Sequence, residues 1–175
     1  MPGGFMKRYT RLLAGSLCAV LLLGGCTEKE DTQMPAEITN MNIPAGDVTD
    51  FYYTYENINY NAFYQRYRFY TEDGKYMFFH ETRERPGNYG WTTEEDVTAS
   101  GNFEIGADGW AEVMELLKDG TVREREDPVE DGDSGPWLYI YWKGDEDRYQ
   151  EYKFASYGDQ KAFEEYCKKL AKKKH

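Results

Sequence analysis

Asp73-Gly74 sits between two aromatic-rich runs, residues 63–71 and 76–82, and this dipeptide constrains the fold more than any other pair of residues. A two-residue hairpin turn needs positive φ at both central positions, which Asp-Gly supplies at little cost. The turn sets a register in which paired residue numbers sum to 147. Phe69 then faces Phe78 and Tyr67 faces His80, a set suited to a core. On the opposite face Tyr70 meets Met77, Arg68 meets Phe79 and Arg66 meets Glu81, a mixed set with an expected ion pair and cation–aromatic contacts. Of the 29 residues 51–79, 13 are Phe or Tyr, so aromatic burial is the main source of packing.

The rest of the chain alternates between strand and helix signals. Residues 84–94, with Pro86, Gly87, Asn88 and Gly90, form a loop. Residues 97–105 make a weaker strand interrupted by Gly101. Asp108 is the expected N-cap of a helix whose Trp110, Val113, Met114 and Leu117 recur at i, i+3, i+4 and i+7, with Gly120 past its end. Residues 137–142 and 149–155 read as a second hairpin around an acidic turn at 144–147. Ser156 and Asp159 resemble a capping box opening a last helix that carries Phe163, Tyr166, Cys167 and Leu170 on one stripe. The fold class is α+β: an antiparallel sheet of about five strands with two amphipathic helices on one face, and a possible hairpin–helix duplication.

The N-terminal segment has another character. Lys7, Arg8 and Arg11 precede a largely apolar stretch, residues 12–23, and then Leu23-Gly24-Gly25-Cys26. A basic start, a short apolar run and small residues make an export signal, and the run is too short for a bilayer core that needs ~20 residues. Cysteine after the small pair resembles the lipobox of bacterial prolipoproteins. That resemblance implies cleavage before Cys26, lipid on its thiol, and a protein held on the extracytoplasmic face of the cell membrane through this anchor. The expected organisation is a signal peptide over 1–25, a lipidated Cys26 with a polar tether over 26–48, and a single α+β domain over 49–175. About 22 flexible residues would reach roughly 25 Å.

Charge narrows the partners. Three of the 21 Lys and Arg but none of the 32 Asp and Glu precede residue 26, so the remainder carries −14. Nucleic acid demands a basic surface and is not an expected partner. Past the signal only Cys26 and Cys167 remain, and with Cys26 carrying lipid no intrachain disulfide can form. Cys167 falls on an apolar helical stripe and reads as an inert core thiol.

Sites of chemistry are sparse, and no catalytic residue or cofactor is expected. His80 reads as a structural histidine, and no Cys, Asp or Glu stands at ligand spacing from it. No GxSxG elbow occurs. Glu94, Glu95, Asp96, Glu130, Asp131 and Asp133 offer carboxylate pairs for glycoside hydrolysis, yet so acidic a chain contains such pairs by chance. Asp131-Gly132-Asp133 begins like a calcium loop, but Trp142 stands where the bidentate Glu belongs, which excludes an EF-hand. Asp127, Glu130, Asp131 and Asp133 remain weak candidates for an irregular calcium site. In residues 137–142, Leu138, Ile140 and Trp142 are set to face the helices. That turns Trp137, Tyr139 and Tyr141 outward as a row able to bind a sugar ring, peptide or protein. Lys168, Lys169, Lys172, Lys173 and Lys174 complement the last helix dipole or meet an anionic lipid or wall polymer.

The segment GPWLYIYWKGD (135–145) and the closing FASY and FEEYCKKL stretches are similar to small lipoproteins of clostridial-type Gram-positive bacteria, a likeness that implies no activity. The leading expectation is a membrane-anchored, non-enzymatic binding or interaction module. A small cell-wall or glycan hydrolase and a structural or inhibitory partner of an exported protein are the alternatives.

Overall fold

Alternation along the aromatic runs produces long strands with one wet and one dry face. A computed structural model describes residues 34–35, 37–38, 43–118, 121–125, 136–143 and 150–173, all within one unit spanning Asp31–His175. Its elements are β1 (Glu37–Ile38), β2 (Ile43–Pro44), β3 (Val48–Asn57), β4 (Ala62–Glu72), β5 (Lys75–Arg85), β6 (Val97–Glu104), α1 (Gly106–Leu117), β7 (Val122–Glu124), β8 (Trp137–Trp142), β9 (Gln150–Phe154) and α2 (Tyr157–Lys172). β1 and β2 form a small pair. The other seven strands form one antiparallel sheet in the order β6-β5-β4-β3-β8-β9-β7. The sheet is thus wider than the five strands expected, because β3 and the short β7 join it.

The Asp73-Gly74 turn has φ 49° and 74°, and β4 pairs β5 in the expected register, Phe69 with Phe78 and Tyr67 with His80. β3 extends both faces, placing Phe51 and Tyr53 beside Phe69 and Tyr67, and β8 adds Ile140 and Leu138 on its other side. This inner face is covered by both helices. Phe163 of α2 is fully buried, with its ring 5.4 Å from Phe51, 5.5 Å from Tyr53 and 5.5 Å from Phe154. Trp110 of α1 stacks 4.8 Å from Tyr76, and the Tyr166 hydroxyl donates to Gly109 O across the two helices. Ring pairs of this kind add about 0.5–1.5 kcal/mol each beyond area burial.

Three expectations change. Ile38, Ile43, Ala45 and Val48 are buried, so residues assigned to the tether belong to the core. Four small or branched apolar groups in a polar stretch gave too weak a pattern to be recognised. α1 starts at Gly106 rather than after Asp108, with Ile105 at its N-cap and Asp108 in its first turn. Gly106 has φ 69°, which turns the chain out of β6 before a side-chain cap is needed. The two halves share a hairpin followed by a helix, but β6 intervenes only in the first, between β5 and α1. α2 begins as expected, with Ser156 Oγ accepting from Asp159 N and donating to its carboxylate. Gly120 lies outside the described residues.

Candidate functional site

Where α2 crosses the inner face near the β3–β4 turn, side chains leave a cavity of about 370 Å³. The strands contribute Tyr53 and Tyr55 from β3 and Phe63, Gln65 and Tyr67 from β4, residues that alternate onto one face. The helix contributes Tyr157, Gln160, Lys161, Glu164 and Lys168. Gln160, Glu164 and Lys168 follow one another at intervals of four, which stacks them on one face of α2. Tyr157, Lys161 and Lys168 are exposed and border the cavity at solvent, whereas Tyr53 and Tyr67 lie buried within.

Glu164 organises the polar part. Its Oε1 accepts from the Tyr53 hydroxyl at 2.6 Å and from Gln160 Nε2 at 2.8 Å, and Lys168 Nζ lies 3.6 Å from Oε2. Burial pushes its carboxyl pKa up, but these two hydrogen bonds and the Lys168 charge outweigh burial and hold it below the usual range. Burial, reinforced by the Glu164 contact, pushes the Tyr53 phenol well up, and burial does the same for Tyr67. Gln65 is committed elsewhere: its amide donates to Glu81 O and its carbonyl accepts from Thr82 Oγ1. Tyr67, 2% exposed, lines the cavity with no hydrogen-bond partner for its hydroxyl among the described residues. Five aromatic rings around one fixed carboxylate and one amide suit a small polar ligand with an apolar face.

The outer face holds the expected aromatic row. Trp137, Tyr139 and Tyr141 are half-buried, while Leu138 and Ile140 beneath them are fully buried and Trp142 packs at the core edge. The row is continuous with β3 and β4: Tyr52 pairs with both Tyr139 and Arg68, and its ring meets Tyr141 edge-on at 6.0 Å. Guanidinium groups fill the gaps. Arg66 lies over Tyr52 and Phe79, Arg68 over Tyr52 and Tyr70, and Arg125 4.3 Å over Trp137. The expected Arg66–Glu81 ion pair is replaced by Arg83–Glu81 at 2.7 Å along the same strand, because Arg66 is drawn between two rings. Arg68 forks onto Asp50 through Nε and Nη2.

The other candidates fall as follows. Cys26 and the acidic residues Asp127, Glu130, Asp131 and Asp133 lie outside the described residues. No cluster of three or more His, Cys, Asp or Glu able to hold a metal occurs among the described residues. Glu94, Glu95 and Asp96 form one short 3₁₀ turn, where Asp96 accepts from Thr93 N and Oγ1, bonds that hold its carboxyl below the usual range. Cys167 is fully buried, and burial pushes its thiol up. Among the described C-terminal lysines, Lys168 borders the cavity at solvent, Lys169 and Lys172 occupy the last turn, and Lys174 lies outside the described residues. No described helix is long and apolar enough to cross a membrane.

The cavity residues were not singled out by sequence. The spacing of Gln160, Glu164 and Lys168 is a usable signal for a polar helix face, but it does not reveal that Tyr53 and Tyr67 lie opposite. No protein-family model, curated protein or solved structure matches the chain.

Proposed function

We propose that this protein is a lipid-anchored, extracytoplasmic binding module whose cavity between α2 and the inner sheet face holds a small polar ligand, a glycan or peptide unit. The observation that carries the reading is the Glu164 carboxylate, fixed by Tyr53 and Gln160 inside a ring of aromatic walls. Preorganised polar groups amid apolar surface set a ligand's orientation, and about 370 Å³ lies near the small end of ligand sites. Glycoside hydrolysis draws less support. It needs two carboxylates roughly 5–9.5 Å apart, one with a raised pKa. Glu164 is the one carboxylate among the described cavity residues, and its pKa is lowered.

The anchor rests on Leu23-Gly24-Gly25-Cys26. Labelled fatty acid should enter the wild type and not Cys26→Ala, and equal labelling of both would remove the anchor. For the cavity, chitotriose and a dipeptide panel should shift the NMR signals of Tyr157 and the Gln160 amide. Gln160→Ala should weaken that response. Shifts confined to other faces would overturn the cavity as the site.

A further inference from the structure

The sheet end formed by the β3–β4 turn and the loop after β5 displays aromatic rings to solvent. Tyr60 is 56% exposed, Tyr89 69% and Trp91 67%, with Ile58 beside them. Among the described rings only Tyr157 is comparably exposed, so three of the four most exposed rings cluster at this tip. Tyr60 and Tyr89 contact each other at 5.4 Å with ring planes 55° apart, so each keeps a face free.

The two loops are held together by the backbone. Gly90 N donates to Ile58 O at 2.8 Å, Ala62 N to Asn88 O at 3.2 Å, and Gly87 N to Asn61 Oδ1 at 2.9 Å. Asn61, Gly87 and Gly90 take positive φ values of 62°, 75° and 94°, which make the tight turns. Arg85 pins the loop from below through Trp91 O and pairs with Asp96. The rings are therefore presented on a preorganised support, which lowers the ordering cost of binding.

Charge decides the occupant. Neither residues 57–61 nor residues 86–93 contain a charged side chain, in a chain where 30% of residues are charged. The polar side chains of the two loops are amides and hydroxyls, Asn59, Asn61, Asn88, Thr92 and Thr93. Neither loop offers a cation to an anionic polymer or an acidic protein surface, and Arg85 beneath them is paired with Asp96. A neutral sugar fits, because its C–H face packs on an aromatic ring while its hydroxyls meet amide donors and acceptors. β3 spans ten residues, so this tip lies roughly 33 Å from Val48, where the described chain enters the sheet.

We infer that the Ile58, Tyr60, Tyr89 and Trp91 tip is a binding surface for a neutral glycan, separate from the α2 cavity. Affinity electrophoresis of the full chain through gels holding a β-glucan, a mannan or a xylan tests this. At least one polymer should retard the wild type, and Tyr89→Ala with Trp91→Ala should lose about 10-fold or more in affinity at an unchanged melting temperature. Tyr60→Ala, made alone, should weaken binding in the same direction and serves if the double variant unfolds. Lys75→Ala, at the opposite end of the sheet, should leave the retardation unchanged. Retardation by none of the polymers, or equal retardation of wild type and tip variants, would overturn the inference. Tip-dependent binding to phosphatidylcholine vesicles or tip-dependent dimerisation, in place of glycan binding, would do so too.

Discussion

His80 lies against Gly101 so closely that a Cβ at position 101 would sit 2.6 Å from the imidazole Nε2. The two residues pair across β5 and β6, and His80 fills the space a side chain at 101 would occupy. Its ring is buried between Phe78 at 5.8 Å and Phe103 at 6.5 Å, so it cannot withdraw freely. Gly101→Ala should therefore cost about 1–3 kcal/mol through overpacking. Urea unfolding would show it, and a change below about 0.5 kcal/mol would mean that the imidazole relocates.

Phe163 and Leu117 fix the two helices to the sheet. Both are fully buried. Phe163→Ala should cost about 3–5 kcal/mol and Leu117→Ala about 2–5 kcal/mol as core truncations. The two should differ in one readout. Phe163 is the neighbour of Glu164 and lies one helical turn from Gln160, so its loss should also disturb ligand response at the cavity, whereas loss of Leu117 on α1 should act on stability alone. Denaturant titrations with the NMR ligand screen separate these effects.

The hairpin register, the inward residues of β8 and the apolar stripes of both helices could be read from residues because each follows from a local rule. Turn chemistry sets the first, and periods of 2 and 3.6 set the others. The same rules failed where the evidence was non-local. Ile38 and Ile43 pack on the core from a polar stretch with no period, and β7 is only three residues long. The cavity fared likewise: Tyr53 and Glu164 stand 111 residues apart in sequence, and only the crossing of α2 over β3 joins them. The aromatic tip had a compositional sign, two charge-free loops in an acidic chain, but their adjacency depends on backbone bonds between Gly90 and Ile58.

On the outer face, Arg68 and Arg66 should respond differently to truncation. Arg68 supplies the forked bond to Asp50, whose burial otherwise pushes its carboxyl pKa up despite that partner. Arg68→Ala leaves this part-buried carboxylate without its donor and should cost about 1–3 kcal/mol. Arg66 holds aromatic faces rather than a carboxylate among the described residues, so Arg66→Ala should cost about 1 kcal/mol or less. Equal losses would mean that the Asp50 fork contributes little.

The half-buried Tyr139 tests whether the outer row acts as a platform. Its strand is anchored by Leu138 and Ile140 on the other face, so Tyr139→Ala should preserve the fold. If the row meets a partner, the substitution should weaken binding by about 1–3 kcal/mol, the range of an aromatic hot spot. Melting curves alongside the glycan and peptide screens are the measurement. Unfolding at room temperature would assign the row to packing instead.

Glu164 sets an acid limit on stability. Its folded pKa is lowered from the ordinary 4.5, because hydrogen bonds from Gln160 and Tyr53 and the Lys168 charge outweigh burial. A lowered carboxyl favours the folded state while ionised. Its contribution is therefore present above about pH 4.5 and is lost as pH falls through the folded value. Asp50 is shifted the other way but lies on the outer face, and it is common to wild type and variant, so it cancels in a comparison. Wild type should exceed Glu164→Gln in melting temperature at pH 6–7, and the gap should close as pH drops below about 4.5. Tyr53→Phe, which removes one of the donors, should narrow the gap at neutral pH and move its closure to higher pH. A gap that stays constant from pH 7 to pH 3 would mean that the carboxylate is not held by these partners, and the cavity would lose the fixed polar group on which its ligand reading rests.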